Sequence, residues 1–379
     1  MNKGTGRLLF GLVVFSFSLL AVFRAPVYHL WILAILATEW GHRIAPFALL
    51  ALYPGWSLTR RGRAGAALGV CAAALLLTPV LRARPVAAAL PAALDRAFGP
   101  APASAPPFAW STLLLGSPKP DIVETTEEYS RGCGGPLRLQ LYRPLAAKGR
   151  SPLVLVVHGG SWRSGDRREL AELSRRLAAR GYAVASVDYE LAPAATFPGP
   201  VDDVRAALAW LAVRANGFSI DMSRVVLLGR SAGAQIALAA AHQPEPLPGV
   251  RGVVDFYGPN DLFLAWRVPG PKRIIDSRLL LGQYLGGSPS EQPERYRLAS
   301  PLLAAGKGSP PVLMIHGGRD ELVWPLHEVR LSEKLEKAGV PHYYLAMPWA
   351  THGCDFNPDG PCGQLSAYAV ERFLAFAFK

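Results

Sequence analysis

A serine set between glycines, Gly229–Arg230–Ser231–Ala232–Gly233, follows the apolar run from Val225 to Leu228 and precedes residues of helical character. A strand turning that sharply into a helix holds its turn residue in a strained conformation and exposes the side chain above the sheet edge. Glycine two places before and two after removes Cβ atoms that would collide in the bend. The chemistry such a hydroxyl can do is nucleophilic attack on an acyl carbon. For that it needs an imidazole to take its proton and a carboxylate to fix the imidazole's tautomer.

Downstream, Pro311 to His316 reads as a buried strand running into Gly317–Gly318–Arg319–Asp320–Glu321. An acid just past a strand's end lies on the carboxyl rim of a parallel sheet, where sites of open α/β sheets form. Asp320 is the candidate acid, and Glu321 ranks second. The strand Tyr343 to Met347 leads into a small-residue loop holding His352, the candidate base. Of eight histidines, His29 and His42 lie in an apolar N-terminal region, and His242, His327 and His342 fall on expected helices or their ends, where solvated or structural roles are expected. A further strand, Leu153 to Val157, ends in His158–Gly159–Gly160. Backbone N–H groups of Gly159 and Gly160, with that of Ala232, are candidates to hold an oxyanion. His158 is expected to brace this loop, since no metal-ligand spacing accompanies it. Trp162 and Tyr257 are the candidates for contact with substrate.

Positioning these groups requires a sheet whose strands end on one rim. From residue 123 on, strands and helical patterns alternate as in a mostly parallel sheet with helices on both faces. Leu137 to Tyr142 reads as an early antiparallel strand. Residues 258–308 exceed a simple crossover and carry Phe263, Trp266, Tyr284 and Leu285. A small cap over the site is expected there, the alternative being a surface excursion that buries these aromatics against the sheet. Cys354 and Cys362 bracket a turn-rich loop just after His352. A disulfide between them is expected if the domain lies outside a reducing compartment. Cys133 stands unpaired, and Cys71 is expected to be a small buried hydrophobe.

Residues 121–379 resemble the α/β-hydrolase superfamily, in its carboxylesterase/lipase branch related to hormone-sensitive-lipase-like esterases. The resemblance rests on His158–Gly159–Gly160–Ser161–Trp162, Ser186 to Pro193, Asp203–Val204, Gly229 to Gly233, His316 to Asp320, and His352–Gly353. Where hormone-sensitive-lipase-like enzymes carry a third glycine, this chain has Ser161–Trp162, a form similar to feruloyl-esterase-like and kynurenine-formamidase-like hydrolases. Glu190 stands where arginine is common. The resemblance implies structural hydrogen bonding for Asp188 and Asp203.

Residues 1–81 hold the apolar stretches Leu8–Phe23, Ala25–Thr38, Ile44–Thr59 and Ala64–Leu81. Crossing a bilayer takes about 20 apolar residues. A membrane anchor of three transmembrane helices is expected, with four as the alternative. Residues 82–122, rich in Ala and Pro, are expected to form a linker, with a short amphipathic helix at Val86–Phe98. Residues 1–100 carry 10 Lys and Arg against 2 Asp and Glu, most of the chain's net +12. This excess flanks apolar spans and points to anionic lipid headgroups as partners rather than to nucleic acid. Counting basic residues on either side of three spans places the hydrolase domain on the non-cytoplasmic side, by five against three.

The expected function is a membrane-anchored serine hydrolase acting on carboxylic esters of small molecules or lipids, with Ser231, His352 and Asp320 as triad and no cofactor or metal. The alternatives are an amidase or acyltransferase with the same triad, and a non-catalytic hydrolase-fold scaffold.

Overall fold

The computed structural model describes residues 3–53, 59–101, 105–146, 149–243, 245 and 247–379. Four helices come first: α1 (Lys3–Ser18), α2 (Tyr28–Glu39), α3 (Gly41–Ala48) and α4 (Arg60–Phe98). Among the described residues two helices, Lys3–Ala21 and Arg60–Phe98, are long and apolar enough to cross a membrane. The apolar stretches of the sequence lead to an expected three. The two middle stretches break because their polar residues bind the rest of the protein. Glu39 accepts the N–H of Cys362 at 2.9 Å, and Arg43 and His42 reach the carbonyl of Leu113. Residues 54–58 of the third stretch lie outside the described part. Where α1 crosses α4, a Cβ built on Gly65 would overlap the backbone of Arg7, so the two helices touch main chain to main chain.

Within the expected linker, the helix anticipated at Val86–Phe98 is present, as the continuation of α4 rather than as a separate element. Helix α4 runs unbroken to Phe98 despite Pro79, Pro85 and Pro91. Each proline removes a helical N–H, yet Ala83, Leu90, Leu94 and Phe98 form one buried stripe at helical spacing. Phe98 packs its ring 5.1 Å from those of both Phe373 and Phe376, and Asp95 pairs with Arg372. Packing overrides propensity here. Residues 102–104 lie outside the described part, and a short helix, α5 (Trp110–Leu115), precedes the sheet.

The sheet has eight strands: β1 (Ile122–Gly132), β2 (Gly135–Pro144), β3 (Ser151–Val157), β4 (Ala183–Val187), β5 (Ile220–Arg230), β6 (Val250–Phe256), β7 (Val312–Gly317) and β8 (His342–Met347). Their order is β1-β2-β4-β3-β5-β6-β7-β8. The pairs β1/β2 and β2/β4 are antiparallel and the rest parallel, so the last six strands point their carboxyl ends to one rim. The edge strand β1, rich in Glu and Thr, has one solvated face and went unread in the sequence. Side chains of β3 alternate between two cores: Leu153, Leu155 and Val157 on one face, Val154 and Val156 on the other. Such a sheet needs cover on both faces. It comes from α6 (Ala171–Ala179), α7 (Gly199–Phe218) and α8 (Ala232–Ala241), then from α13 (Leu326–Ala338) and α14 (Pro361–Ala377).

Between β6 and β7 lie four short helices, α9 (Leu262–Arg267), α10 (Ser277–Leu285), α11 (Pro293–Leu298) and α12 (Pro301–Ala304). Tyr284, Leu285 and Tyr296 are buried in the core of one sheet face, while Leu280 and Leu281 turn toward the cleft above the rim. The excursion therefore both packs on the sheet and lines the cleft.

Leu94→Ala is expected to destabilise the protein by about 2–5 kcal/mol, the usual loss for a buried leucine, read as a lowered Tm of the full chain in detergent. An unchanged Tm would mean that this part of α4 does not pack as described.

Candidate active site

Strand β5 ends in the bend that the glycine pattern anticipates. Ser231 sits at φ 52° and ψ −119°, and its N–H donates to the carbonyl of Phe256 at 2.8 Å. A Cβ on Gly233 would overlap the carbonyl oxygens of Val157 and His158, so glycine there lets α8 start against the end of β3. As first residue of α8, Ala232 has an N–H with no intrahelical acceptor.

Three loops deliver three side chains to this point. Nε2 of His352 lies 3.0 Å from Oγ of Ser231, and its Nδ1 lies 2.6 Å from Oδ2 of Asp320. A carboxylate accepts, so Nδ1 carries the proton and Nε2 is free to accept from the hydroxyl. Oδ1 of Asp320 accepts the N–H groups of Leu322 and Val323, each at 2.8 Å. Burial alone would raise the Asp320 pKa, but the neighbouring His352 and the His316 bond outweigh it and hold the carboxyl well below its usual range. Glu321, the second-ranked acid, turns away: its Oε1 accepts the N–H of Ala25, and burial pushes its pKa up to about 7.

The sequence reading missed the residues behind Asp320. His316 ends β7 with Nε2 3.0 Å from Oδ2 of Asp320 and Nδ1 3.0 Å from Oε1 of Glu328 on α13. Burial works against charge on this ring, yet its bonds to the two acids prevail and push its pKa up to about 10. Oε2 of Glu328 accepts from Asn260, which also donates to Asp255. The signal available was the four-residue spacing from His316 to Asp320.

Gly159 and Gly160 line the same cavity as Ser231 and His352. His158 braces their loop: Nδ1 donates to the carbonyl of Gly159 at 2.7 Å, and the ring stacks on Tyr189, whose hydroxyl donates to the carbonyl of His158. Burial lowers the His158 pKa. Trp162 donates to Gln235 at 2.8 Å, stacks on Tyr284 and lines a narrow recess beside Ser231. Tyr257, the other candidate for contact with substrate, lines the cavity that holds Ser231 and His352. Its hydroxyl donates to Asp355 at 2.6 Å, leaving only the ring, 4.4 Å from that of His352, at the cavity wall. Asp355 also accepts from Arg230, the residue before the nucleophile candidate. Asp188 accepts from Arg167, and Asp203 accepts the N–H of Glu190. Glu190 in turn accepts the N–H of Cys133. Cys354 and Cys362 are joined in a disulfide directly after His352. Cys71, expected to be buried, is exposed on α4, which presents that position outward.

This sheet, with its serine at the β5 turn, has the architecture of an α/β-hydrolase. The chain belongs to the BD-FAE family, whose model matches residues 139–335. It is 32% identical to Esterase LipC of Mycobacterium tuberculosis over 59% of this chain and 58% of LipC, so it spans less than two thirds of that relative. It is 27% identical to the Probable carboxylic ester hydrolase LipM of the same organism, over 91% of this chain and 86% of LipM. Among solved structures, a bacterial heroin esterase superposes with a TM-score of 0.58 at 25% identity, covering 68% of this chain and 85% of that one.

His316, with a pKa above its ordinary 6.5, contributes stability that is complete below about pH 6.5 and is lost as pH rises through about 10. The stability deficit of His316→Gln relative to the parent chain is therefore expected to be largest in mild acid and to shrink toward pH 10 in denaturant unfolding. A deficit independent of pH would mean the ring is neutral when folded.

Proposed function

We propose that the chain hydrolyses carboxylic esters at Ser231 through an acyl-enzyme, with His352 as general base and Asp320 orienting it. The observation that carries this reading is the pair of contacts made by one imidazole, 3.0 Å to the hydroxyl and 2.6 Å to the carboxylate. Oγ attacks the ester carbon while Nε2 takes its proton, and the carbonyl oxygen becomes an oxyanion held by N–H groups of Ala232, Gly160 and Gly159. Collapse breaks the bond to the alcohol oxygen, which leaves with the proton from His352. Water then attacks the acyl-enzyme, its proton passing to His352. Collapse releases the carboxylic acid and returns that proton to Ser231. Asp320 stays ionised throughout and stabilises the transient imidazolium.

The apolar helices Lys3–Ala21 and Arg60–Phe98 support a membrane-held enzyme, and basic residues around them support contact with anionic lipid headgroups. The disulfide beside His352 supports placing the catalytic unit on the non-cytoplasmic side, since such bonds persist in oxidising compartments.

Ser231→Ala is expected to lower kcat for p-nitrophenyl acetate by at least ~10³-fold while leaving the Tm of the full chain close to that of the parent. Turnover equal to the parent would remove Ser231 from the role.

A further inference from the structure

Ser231 stands where two spaces of unequal size meet. One is a narrow recess of about 40 Å³ between Trp162 and the α9–α10 region. The other is a wide cavity of about 520 Å³ that also holds His352 and the Gly159–Gly160 loop. Part of the wide cavity's wall comes from the N-terminal apolar region: Tyr28, Trp31 and Ile32, all on α2, face it.

Helix α2 is fixed in that place by bonds to the loops that carry the site. The indole N–H of Trp31 donates to the carbonyl of His352 at 3.3 Å, and its ring lies 6.4 Å from the imidazole. Before α2, the N–H of Ala25 donates to Glu321 at 2.8 Å, and Arg319 donates to the carbonyls of Leu20 and Phe23. The residues on either side of Asp320 thus hold the chain entering α2, while His352 holds its middle. On the outward side of the helix Leu33 and Leu36 are exposed, and Ile32 is both exposed and at the cavity. The cavity therefore borders an apolar outer surface.

We propose that α2 is a specificity element of the substrate site, its Tyr28, Trp31 and Ile32 forming the wall against which an ester's single large apolar group lies. The narrow recess beside Ser231 accepts only a small group on the other side of the ester bond. A substrate of one short and one long apolar half fits both spaces, and a pocket of this size suits a group of several carbons. This rests on the reading of Ser231 as nucleophile.

The test uses the full chain in detergent micelles with ethyl acetate, octyl acetate and ethyl octanoate, which place the long half on neither, one or the other side of the ester. The parent chain is expected to show a lower KM for octyl acetate or for ethyl octanoate than for ethyl acetate. Trp31→Ala is expected to reduce that advantage about tenfold, and Ile32→Ser about threefold, with smaller changes in kcat. Ile32 is exposed, so its variant decides the matter if Trp31→Ala does not fold. Val213→Ser, an exposed position on α7, serves as the control and is expected to keep the parent ratio. The proposal is overturned if neither octyl acetate nor ethyl octanoate is favoured over ethyl acetate, or if the KM ratio stays within about twofold of the parent in every wall variant that folds. Absence of turnover of all three esters by the parent chain would instead bring down the ester-hydrolase reading beneath it.

Discussion

A carboxylate with no exposure to water is the constraint around which this sheet edge is built. An isolated buried charge is far too costly to keep, so Asp320 must be surrounded by donors. Two backbone N–H groups serve one oxygen, and two imidazoles face the other. Those partners reach far through the fold. His316 ties the acid to Glu328 on α13, and Glu328 reaches Asn260 and so Asp255 at the end of β6. One ionised group thereby couples the ends of β6 and β7, a helix and the histidine loop.

The same rim concentrates unfavourable backbone conformations. Ser161, Trp162, Ser231 and Tyr257, which follow β3, β5 and β6, all have φ between 47° and 60°. Residues of this kind persist only where surrounding bonds over-determine them. The bonds are visible. Trp162 is held by Gln235 and Tyr284, Tyr257 by Asp355, and Ser231 by the carbonyl of Phe256. A rim arranged this way turns three consecutive strand ends toward one point above the sheet, which is the geometry an acyl carbon needs between a hydroxyl and N–H donors.

Much of this was legible in sequence because it follows from local chemistry. A strand, a glycine-flanked serine and a helix specify the bend at Ser231 within ten residues, and loops after strand-like runs identified Asp320 and His352. What was illegible depends on contacts between distant segments. The prolines from 85 onward suggested a tether, yet the helix persists to Phe98 because Leu90, Leu94 and Phe98 find a partner in α14, far along the chain. Glu328 lies in an ordinary amphipathic helix, and only the fold brings it to His316. The partner of the Tyr257 hydroxyl, Asp355, comes from a loop almost a hundred positions away. Strand β1 lacks apolar alternation because even its inner face is mostly only half-buried, so Thr125 and Glu127 are tolerated there.

The length of α4 gives the N-terminal region a meaning beyond attachment. At 1.5 Å per residue its 39 residues extend about 58 Å, roughly twice the hydrocarbon thickness of a bilayer. Its first half packs main chain to main chain on α1, and its second half packs on α14 of the catalytic unit. Exposed Arg82 and Arg84 lie between the two halves, where a membrane surface would favour basic side chains. On the proposed membrane-held reading, a single helix joins the bilayer to the hydrolase. Helix α2, bonded to the His352 loop, is then held at a set height relative to the lipid.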